Sequence, residues 1–555
     1  MNSLCSIDRS LRGFLPTHGA PIVLLENVKV VVRMRDPRRV KLISGGGSGH
    51  EPAHAGYVGP NHLTSAVCGE IFASPSVQQI LAGILASGKQ DDAFLLIVNN
   101  YTGDWLNFSL AREIARNSLG FTQVEILLVK DDVAIENVQE SVGPRGLAGC
   151  VLVIKISGAL AEDGKSLQEI QSFCSDLQLM TVGFTFASDL KSGEISRVEI
   201  GKGIHGEPGA SRDTNLTTFD DIAQHLVEKF QKFASKDGKF VVMINNLGGT
   251  SQHLMNVFAF SLLPRLKQHF RIAHIMSGTF MTSLDQEGIS VTLLNIAGKE
   301  EILEYLTRSI SVGIPQPQPE ISSWNMEIFD KLLTERDSLP QKLSKDPQFL
   351  FKLFRSACEE LLKGCTLLNE MDSELGDGDT GSTISRGVKH LLTRFAAPED
   401  FQRPGDFLKA LSWEMSRQMG GSSGALYGIF FQAASTAFGA STEFASLQDW
   451  IDALKLGNFA LQKAARSKRG DRTMLDPLLA MEDFLVRSST ASGPGFAENL
   501  YEIVESSAAE TRAMIPKAGR AAYTTSTVQD LKYPDPGAHA VATWVKGLLK
   551  CYQEC

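Results

Sequence analysis

The sequence predicts a multidomain chain: an α/β unit of two subdomains over residues 1–312, a linker over 313–345, and an all-α unit over 346–555. Three observations carry this. At roughly 100–200 residues per domain, 555 residues call for two to four domains. From about Lys41 to Gly298, short apolar runs alternate with segments of helical period, the pattern of strands covered on both faces in α/β layers. After about Asp346, almost every segment has helical period and the strand-like runs stop.

In chain order, the strand-like runs are VKLIS, AFLLIV, QVEILLV, CVLVIKI, KFVVMI and ISVTLLNIA, and WLNFSLAREIARN is typical of the helices between them. One similarity is internal. Phe94 to Ala111 and Phe240 to Ala259 both read apolar strand, Asn-Asn, glycine turn, helix, which suggests two subdomains with loops at the carboxyl ends of strands, where open α/β sheets bind ligands. An ordinary strand-to-helix turn reads the same way. The proline-rich stretch Gly313 to Trp324 is expected to sustain neither helix nor sheet. FLFKLFRSACEELLKGCTLLNE then opens the helical unit.

Composition narrows the function. With 43% apolar residues, 21% charged and no dominant residue type, the chain is not disordered, collagenous or a coiled coil. A formal charge of −9 argues against a nucleic-acid partner and for a small substrate. No apolar core with a cleavage site marks the first 20 residues, and the stretch Ala425 to Ala440 is too short and polar to span a membrane. Eight cysteines without a CxxC pair read as thiols in a reducing compartment, and the ending CYQEC matches no lipidation or peroxisomal signal. A cytoplasmic location is expected.

The 49 glycines are clustered. In SGGGSGHEPAHAG, Ser44 to Gly56, glycines 45, 46, 47 and 49 let the backbone turn and offer N–H groups to a phosphate or polyol oxygen. No dinucleotide fingerprint fits, and the nearest approach to a Walker A motif, Gly164-Lys165-Ser166, has Ala159 where its first glycine belongs. His50 ends the run, at the mouth of the loop. GKGIHGEPG sets His205 between glycines, as base, donor or nucleophile, or as the incidental histidine of a turn. Asp104 stands at a strand end, where it can accept a hydroxyl proton, cap the next helix, or both.

In the helical unit, Asp372, Asp377 and Asp379 lie five and two residues apart around Asp-Gly-Asp, and three carboxylates on one turn call for a divalent cation such as Mg²⁺ with substrate phosphates. The EF-hand ladder is missing. MGGSSGALYGIFF opens a helix near Gly424 with small residues before it, a phosphate-binding arrangement. GDRTMLD and PDPGA are turns that can close over a nucleotide or simply join helices.

GGGSGHEPAHAG, NNYTGDWLNF, GIHGEPG, NNLGG, GTFMTSL, LGDGDTG, MGGSSGALYG, GDRTMLD and DPGA, in this order, resemble the single-chain dihydroxyacetone kinase family, in particular its bifunctional animal branch, from about Lys41 to the end. The resemblance implies an N-terminal substrate domain of two α/β parts, a C-terminal nucleotide domain built as a helical barrel, and a homodimer in which one chain's nucleotide domain faces the other's substrate domain. It implies ATP-dependent phosphorylation of dihydroxyacetone and D-glyceraldehyde. His205 would form a hemiaminal with the substrate carbonyl, Gly47, Ser48, Gly49 and His50 would form the substrate loop, and Asp104 would be the base assisted by His50. Asp372, Asp377 and Asp379 would hold Mg²⁺ on the ATP phosphates. Asp379, Thr380, Gly381, Ser382, Ser422, Ser423, Thr473, Met474, Asp535, Pro536 and Gly537 would contact ATP. The resemblance also implies FAD-AMP lyase activity at the same aspartates, with Mn²⁺ or Co²⁺, releasing AMP and riboflavin cyclic 4′,5′-phosphate. The segment before Lys41 is shorter than the family's. Where the family has a lysine in the substrate site, this chain has Asn99, a neutral amide. That leaves two alternatives: FAD-AMP lyase only, or a catalytically weakened binding or regulatory protein.

Overall fold

The structure is a computed structural model and describes residues 6–135, 143–189, 194–205, 211–213, 216–235, 237–284, 286–309, 320–324, 341–376, 378–439, 443–488, 495–518, 522 and 531–554. These form two compact units, one within Met1–Ile328 and one within Phe329–Cys555.

The first unit has thirteen described strands. The first six are β1 (Ile22–Leu25), β2 (Val30–Arg33), β3 (Val40–Ser48), β4 (Ser65–Ile71), β5 (Ala93–Asn99) and β6 (Val124–Val129). They are followed by β7 (Gln178–Asp189), β8 (Glu194–Ile200), β9 (Ser211–Asp213), β10 (Lys239–Asn246), β11 (Arg271–Gly278), β12 (Gly288–Asn295) and β13 (Glu320–Ser322). One sheet runs β13-β1-β2-β4-β3-β5-β6, and β4, β3, β5 and β6 in it are parallel. The other runs β11-β10-β12-β7-β8-β9, with only β10 and β11 parallel.

Eight helices cover the sheets: α1 (Ile7–Phe14), α2 (Val77–Ser87), α3 (Thr102–Asn117), α4 (Gly149–Glu162), α5 (Leu167–Ser175), α6 (Phe219–Phe233), α7 (Gln252–His269) and α8 (Ile302–Thr307). All seven residues of β5 are buried because both faces are covered. Leu95 and Ile97 share a core with Ile154 of α4 and Ile170 of α5, while α3 lies against β5 and β6. That same core takes in Val241 and Met243 of β10 and Leu294 of β12, so α4, α5 and α8 are packed between the two sheets. Phe184, Val242 and Ile244 point the other way, into a core with α6 and α7.

This layering corrects one expectation. CVLVIKI is not a strand but the middle of α4, whose residues Gly149 to Ala161 are all buried. A helix enclosed on every side loses its polar stripe, so its sequence reads like a strand covered on both faces. The chain signals the helix only at its start, where Asp131 accepts from the Leu147 and Gly149 amides at 2.7 and 2.8 Å.

Two further expectations change. The glycine run is mostly strand: β3 continues to Ser48 and pairs Gly45 with Val67 and Gly46 with Cys68. A Cβ on Gly45 would stand 2.3 Å from the Val67 carbonyl oxygen, and one on Gly47 2.7 Å from the Ala73 amide nitrogen, so these glycines serve close approach. Only Gly49, at φ +102°, makes a turn that needs glycine. In the expected linker, Glu320–Ser322 pairs in parallel with β1, since these residues follow the last proline and keep their N–H groups.

The second unit is all-α. Its described helices are α9 (Pro347–Asp372), α10 (Thr380–Arg394), α11 (Pro404–Gln418), α12 (Gly421–Ala434), α13 (Leu447–Ala465), α14 (Leu475–Arg487), α15 (Phe496–Glu510) and α16 (Pro536–Glu554). Burial of Ile384, Gly387, Val388 and Leu391 along α10 shows the amphipathic period that made these helices predictable. Each helix packs against the next, and α16 packs against α9, which closes a ring.

Among the described residues no helix is long and apolar enough to cross a membrane, and Cys68, Cys150, Cys174, Cys358 and Cys365 are free thiols.

Candidate active sites

The expected substrate residues of the first unit meet at one end of β3 and β5. The His205 ring stands 4.8 Å from that of His50, edge to face, and 4.4 and 5.6 Å from Tyr101 and Phe72. His50 is buried, and its Nδ1 lies 2.8 Å from the Thr282 carbonyl oxygen, which can only accept, so Nδ1 carries a proton. The segment from Met281 to Leu284 holds the glycine turn in place: the Thr282 amide donates to the His50 carbonyl and the Leu284 amide to the Gly49 carbonyl. Asn245, at the end of β10, fixes that segment by accepting from the Phe280 and Met281 amides at 2.8 and 3.0 Å. The repeated Asn-Asn therefore serves the site indirectly in one copy and borders it in the other.

Asp104 lies in the first turn of α3, which Tyr101 precedes as N-cap without a side-chain cap bond. The capping role weighed for Asp104 is therefore not the one it plays. Its carboxyl is buried, its Oδ1 has no hydrogen-bond partner among the described residues, and its pKa is pushed up to about 6 by burial, which outweighs a hydrogen bond from Ser74 and the nearby His205. Oδ2 lies 3.9 Å from where a Cβ on Gly46 would stand, so that glycine keeps the space over the carboxylate open. Asn99 is buried at the end of β5, and its Oδ1 also lacks a partner. Ser48 is different: its hydroxyl donates to the Gly69 carbonyl at 2.7 Å, a bond that fixes β3 to β4. Beside this end of β3 is a cavity of about 480 Å³, lined by Gly46, Gly47, Ser48 and His54 and by Leu11 and Phe14 of α1.

Sequence reasoning missed Phe72, Tyr101, Thr282 and Ser283. Tyr101 and Thr282 lie inside the quoted NNYTGDWLNF and GTFMTSL, but an aromatic or hydroxyl side chain that frames a histidine has no spacing rule of its own. Residues 206–209 of the His205 loop lie outside the described residues.

The expected nucleotide residues of the second unit collect on one rim of the ring. Hydrogen bonds join the end of α9 to the starts of α10 and α16, the segment before α14 to that before α16, and Arg386 of α10 to Met419 just ahead of α12, so α10, α12, α14 and α16 begin at the rim where α9 ends. Asp379, Thr380, Gly381 and Ser382 open α10, Ser422 and Ser423 sit in the first turn of α12, Thr473 and Met474 precede α14, and Asp535, Pro536 and Gly537 open α16. Four helix amino ends gather there, and the amino end of a helix favours an anion. Gly420 and Gly421, with φ of +68° and +57°, lead into α12, which has no side-chain cap.

Hydrogen bonds tie the rim together. Asp372 Oδ2 accepts from the Asp379 and Thr380 amides at 2.9 and 3.2 Å. Glu374 accepts from the Lys532 and Tyr533 amides at 2.6 and 3.1 Å, and Arg472 donates to the Thr511 and Tyr533 carbonyls at 2.8 and 3.1 Å. Asp476 accepts from the Gly470 and Thr473 amides at 2.6 and 2.8 Å. Burial pushes the Asp535 carboxyl up to about 6, with Arg472 opposing and Asp476 and Asp372 adding to the shift. A cavity of about 540 Å³ borders Asn369, Ser373, Gly381 and Ser382. Asp377 lies outside the described residues, and among the described residues no three His, Cys, Asp or Glu converge on one point. Asp372 and Asp379 are joined through the amide bond above, and hard carboxylate oxygens of this kind suit Mg²⁺.

A pocket holding His50, His205 and Asp104 in one unit, and a rim of helix amino ends in the other, are the features of a phosphotransferase built in two parts. The Dak1 domain model matches residues 12–312 and the DAK2 domain model residues 374–550. The triokinase/FMN cyclase of Homo sapiens is 35% identical over 539 residues, covering 93% of this chain and 92% of that protein. Dihydroxyacetone kinase 1 of Saccharomyces cerevisiae is 31% identical over 593 residues, covering 98% and 97%. The dihydroxyacetone kinase from C. freundii, solved in complex with AMP-PNP and Mg²⁺, is 30% identical with a TM-score of 0.49, covering 98% of each chain. The chain belongs to the dihydroxyacetone kinase family, a family of kinases. The family match begins at residue 12, ahead of Lys41.

Proposed function

We propose that this chain phosphorylates dihydroxyacetone and D-glyceraldehyde with ATP, using the first unit for the triose and the helical rim for the nucleotide. The observation that carries this reading is the His205 ring 4.8 Å from His50, with the unpartnered Oδ1 of Asp104 buried in the same pocket. A triose offers few groups to grip, so a reversible covalent bond orients it and selects a carbonyl compound over glycerol. A ring nitrogen of His205 bonds to the carbonyl carbon, the carbonyl π bond breaks, its oxygen takes a proton, and the imidazole gives up its N–H proton. Ionised Asp104 then accepts the proton of the terminal hydroxyl as that oxygen bonds to the γ-phosphorus and ADP leaves. His50, its Nδ1 held by Thr282, turns its other nitrogen away from that carbonyl and assists by hydrogen bonding.

Asp372, Asp377 and Asp379 would hold Mg²⁺, which supplies positive charge to the ATP phosphates. The helix amino ends carrying Thr380, Ser382, Ser422 and Ser423 bind the phosphate oxygens, and Thr473, Met474 and the Asp535–Gly537 turn enclose the rest of the nucleotide. A homodimer, the residue 1–312, 313–345 and 346–555 division, and a cytoplasmic location belong to the same reading, the last supported by the free cysteines. The name triokinase/FMN cyclase on the mammalian relatives favours a second activity, splitting of FAD into AMP and riboflavin cyclic 4′,5′-phosphate on the rim with Mn²⁺ or Co²⁺. Asn99 in place of the family lysine bears on the first activity alone.

Both activities are measured on the purified protein beside His205→Ala and Asp379→Ala. His205→Ala is expected to lose triose phosphorylation by about three orders of magnitude and keep FAD splitting. Asp379→Ala is expected to lose both. FAD splitting without triose phosphorylation in the wild type would leave the lyase alone, and turnover of neither would leave a binding protein.

A further inference from the structure

The segment that carries His205 is held at both ends by buried side chains. At its root, Gly201 turns with φ +75°, and its carbonyl accepts from Arg145 Nη2 at 2.5 Å. Arg145 is in turn bound side-on by Asp132, with Nε and Nη2 at 2.8 and 2.7 Å from Oδ2, and the two side chains are 2% and 1% exposed. The Asp132 amide also donates to the Arg145 carbonyl, so the pair is fixed through backbone as well. At the other end, the Ser283 hydroxyl donates to the carbonyl of Ile204, the residue before His205, at 2.5 Å.

A buried ion pair recovers little net stability, because desolvation cancels most of the attraction, so its place in the core asks for another reason. Here the guanidinium spends a donor on a backbone carbonyl four residues before the reactive imidazole. The His205 ring must meet a carbonyl carbon at bonding distance while keeping its edge-to-face contact with His50, and a misplacement of about 1 Å in such a site costs on the order of a hundredfold. We propose that Arg145, pinned by Asp132, is a positioning residue for His205, with Ser283 as its counterpart at the other end of the segment. This rests on the covalent reading of His205 above.

The experiment compares Arg145→Lys, Ser283→Ala and His205→Ala in the full chain, reading the KM for dihydroxyacetone, the KM for ATP, the unfolding midpoint, and the tetrahedral adduct formed with [2-¹³C]dihydroxyacetone by NMR. Lysine keeps a charge for Asp132 but lacks the fork that reaches both partners. Arg145→Lys is expected to raise the triose KM and lower the adduct population by about tenfold or more while the ATP KM stays within about twofold. Ser283→Ala is expected to move the same two quantities by about threefold, in line with one lost hydrogen bond. A folded Arg145→Lys with wild-type adduct and triose KM overturns the proposal. Should Arg145→Lys fail to fold, Ser283→Ala decides: a shift confined to triose and adduct supports the clamp, and wild-type values overturn it. An adduct that survives His205→Ala overturns the covalent reading itself, an outcome distinct from the failure of the clamp.

Discussion

In the α/β unit, the pocket is assembled from five separate stretches around Gly46–His50, Phe72, Asn99–Asp104, Gly201–His205 and Met281–Leu284, which reach one another by close backbone approach and buried hydrogen bonds. In the helical ring, four helix ends reach one rim because alternate helices point the same way. The first arrangement depends on contacts far apart in sequence and leaves no slack, whereas the second tolerates small errors at each position because many weak donors share the work. The Asp104 carboxylate is enclosed in the pocket, while the rim's Asp379, Ser382 and Ser422 remain exposed.

The sharpest test of that contrast is Asp104→Asn. Removing this buried carboxylate base is expected to cut kcat for triose phosphorylation by about 10²–10⁴-fold and leave FAD splitting unchanged. Next is Gly45→Ala, whose methyl would meet the Val67 carbonyl; overpacking of this kind costs about 1–3 kcal/mol, read as an earlier unfolding transition on denaturant titration. Equal sensitivity at Gly439 of the helical ring, whose φ is −64° and where a Cβ would meet its nearest neighbour at 3.6 Å, would break the comparison of the two units.

The pH profile has a definite sign. Asp104 is raised from 3.8 to about 6, so its base form fills only above about pH 6, and kcat/KM for the triose is expected to fall about tenfold per pH unit below that. Its stability contribution runs the other way: it is present in full below the unfolded pKa near 4 and is lost as pH rises through about 6. Asp104→Asn should abolish the acid limb. The smallest effect is expected on the rim, where Ser422→Ala removes one of several donors and raises the ATP KM by about two- to fivefold.

How far the sequence could be read follows the same division. The ring's helices were plain from periodicity, since each keeps a polar face, as Ile384, Gly387, Val388 and Leu391 show for α10. The six strand-like runs were five strands and one helix, because CVLVIKI, packed between two sheets, has no polar face to reveal its period. β1, β2, β4, β7, β8, β9, β11 and β13 were not marked out, and the mixed pairing of the second sheet could not be, because pairing direction is set by partners distant in sequence. His50, Asp104 and His205 stood out through their glycine neighbours and the family resemblance, and the structure brings them together. Arg145 carried no local mark, since its partner Gly201 lies 56 residues away, and Ser283, though inside GTFMTSL, bonds to Ile204, 79 residues away.

The contact between α9 and α16 gives the helical unit an unusual folding problem. Seven of its helix pairs are neighbours in sequence and can zip up one after another, as in a repeat array. The eighth joins segments separated by nearly the whole unit, so a fold that is otherwise built from local contacts pays one large loop-closure entropy, and the last contact to form is the one that makes the rim continuous. A ring has no obligatory first helix, and the same eight helices opened at a different loop would still present four amino ends to one side.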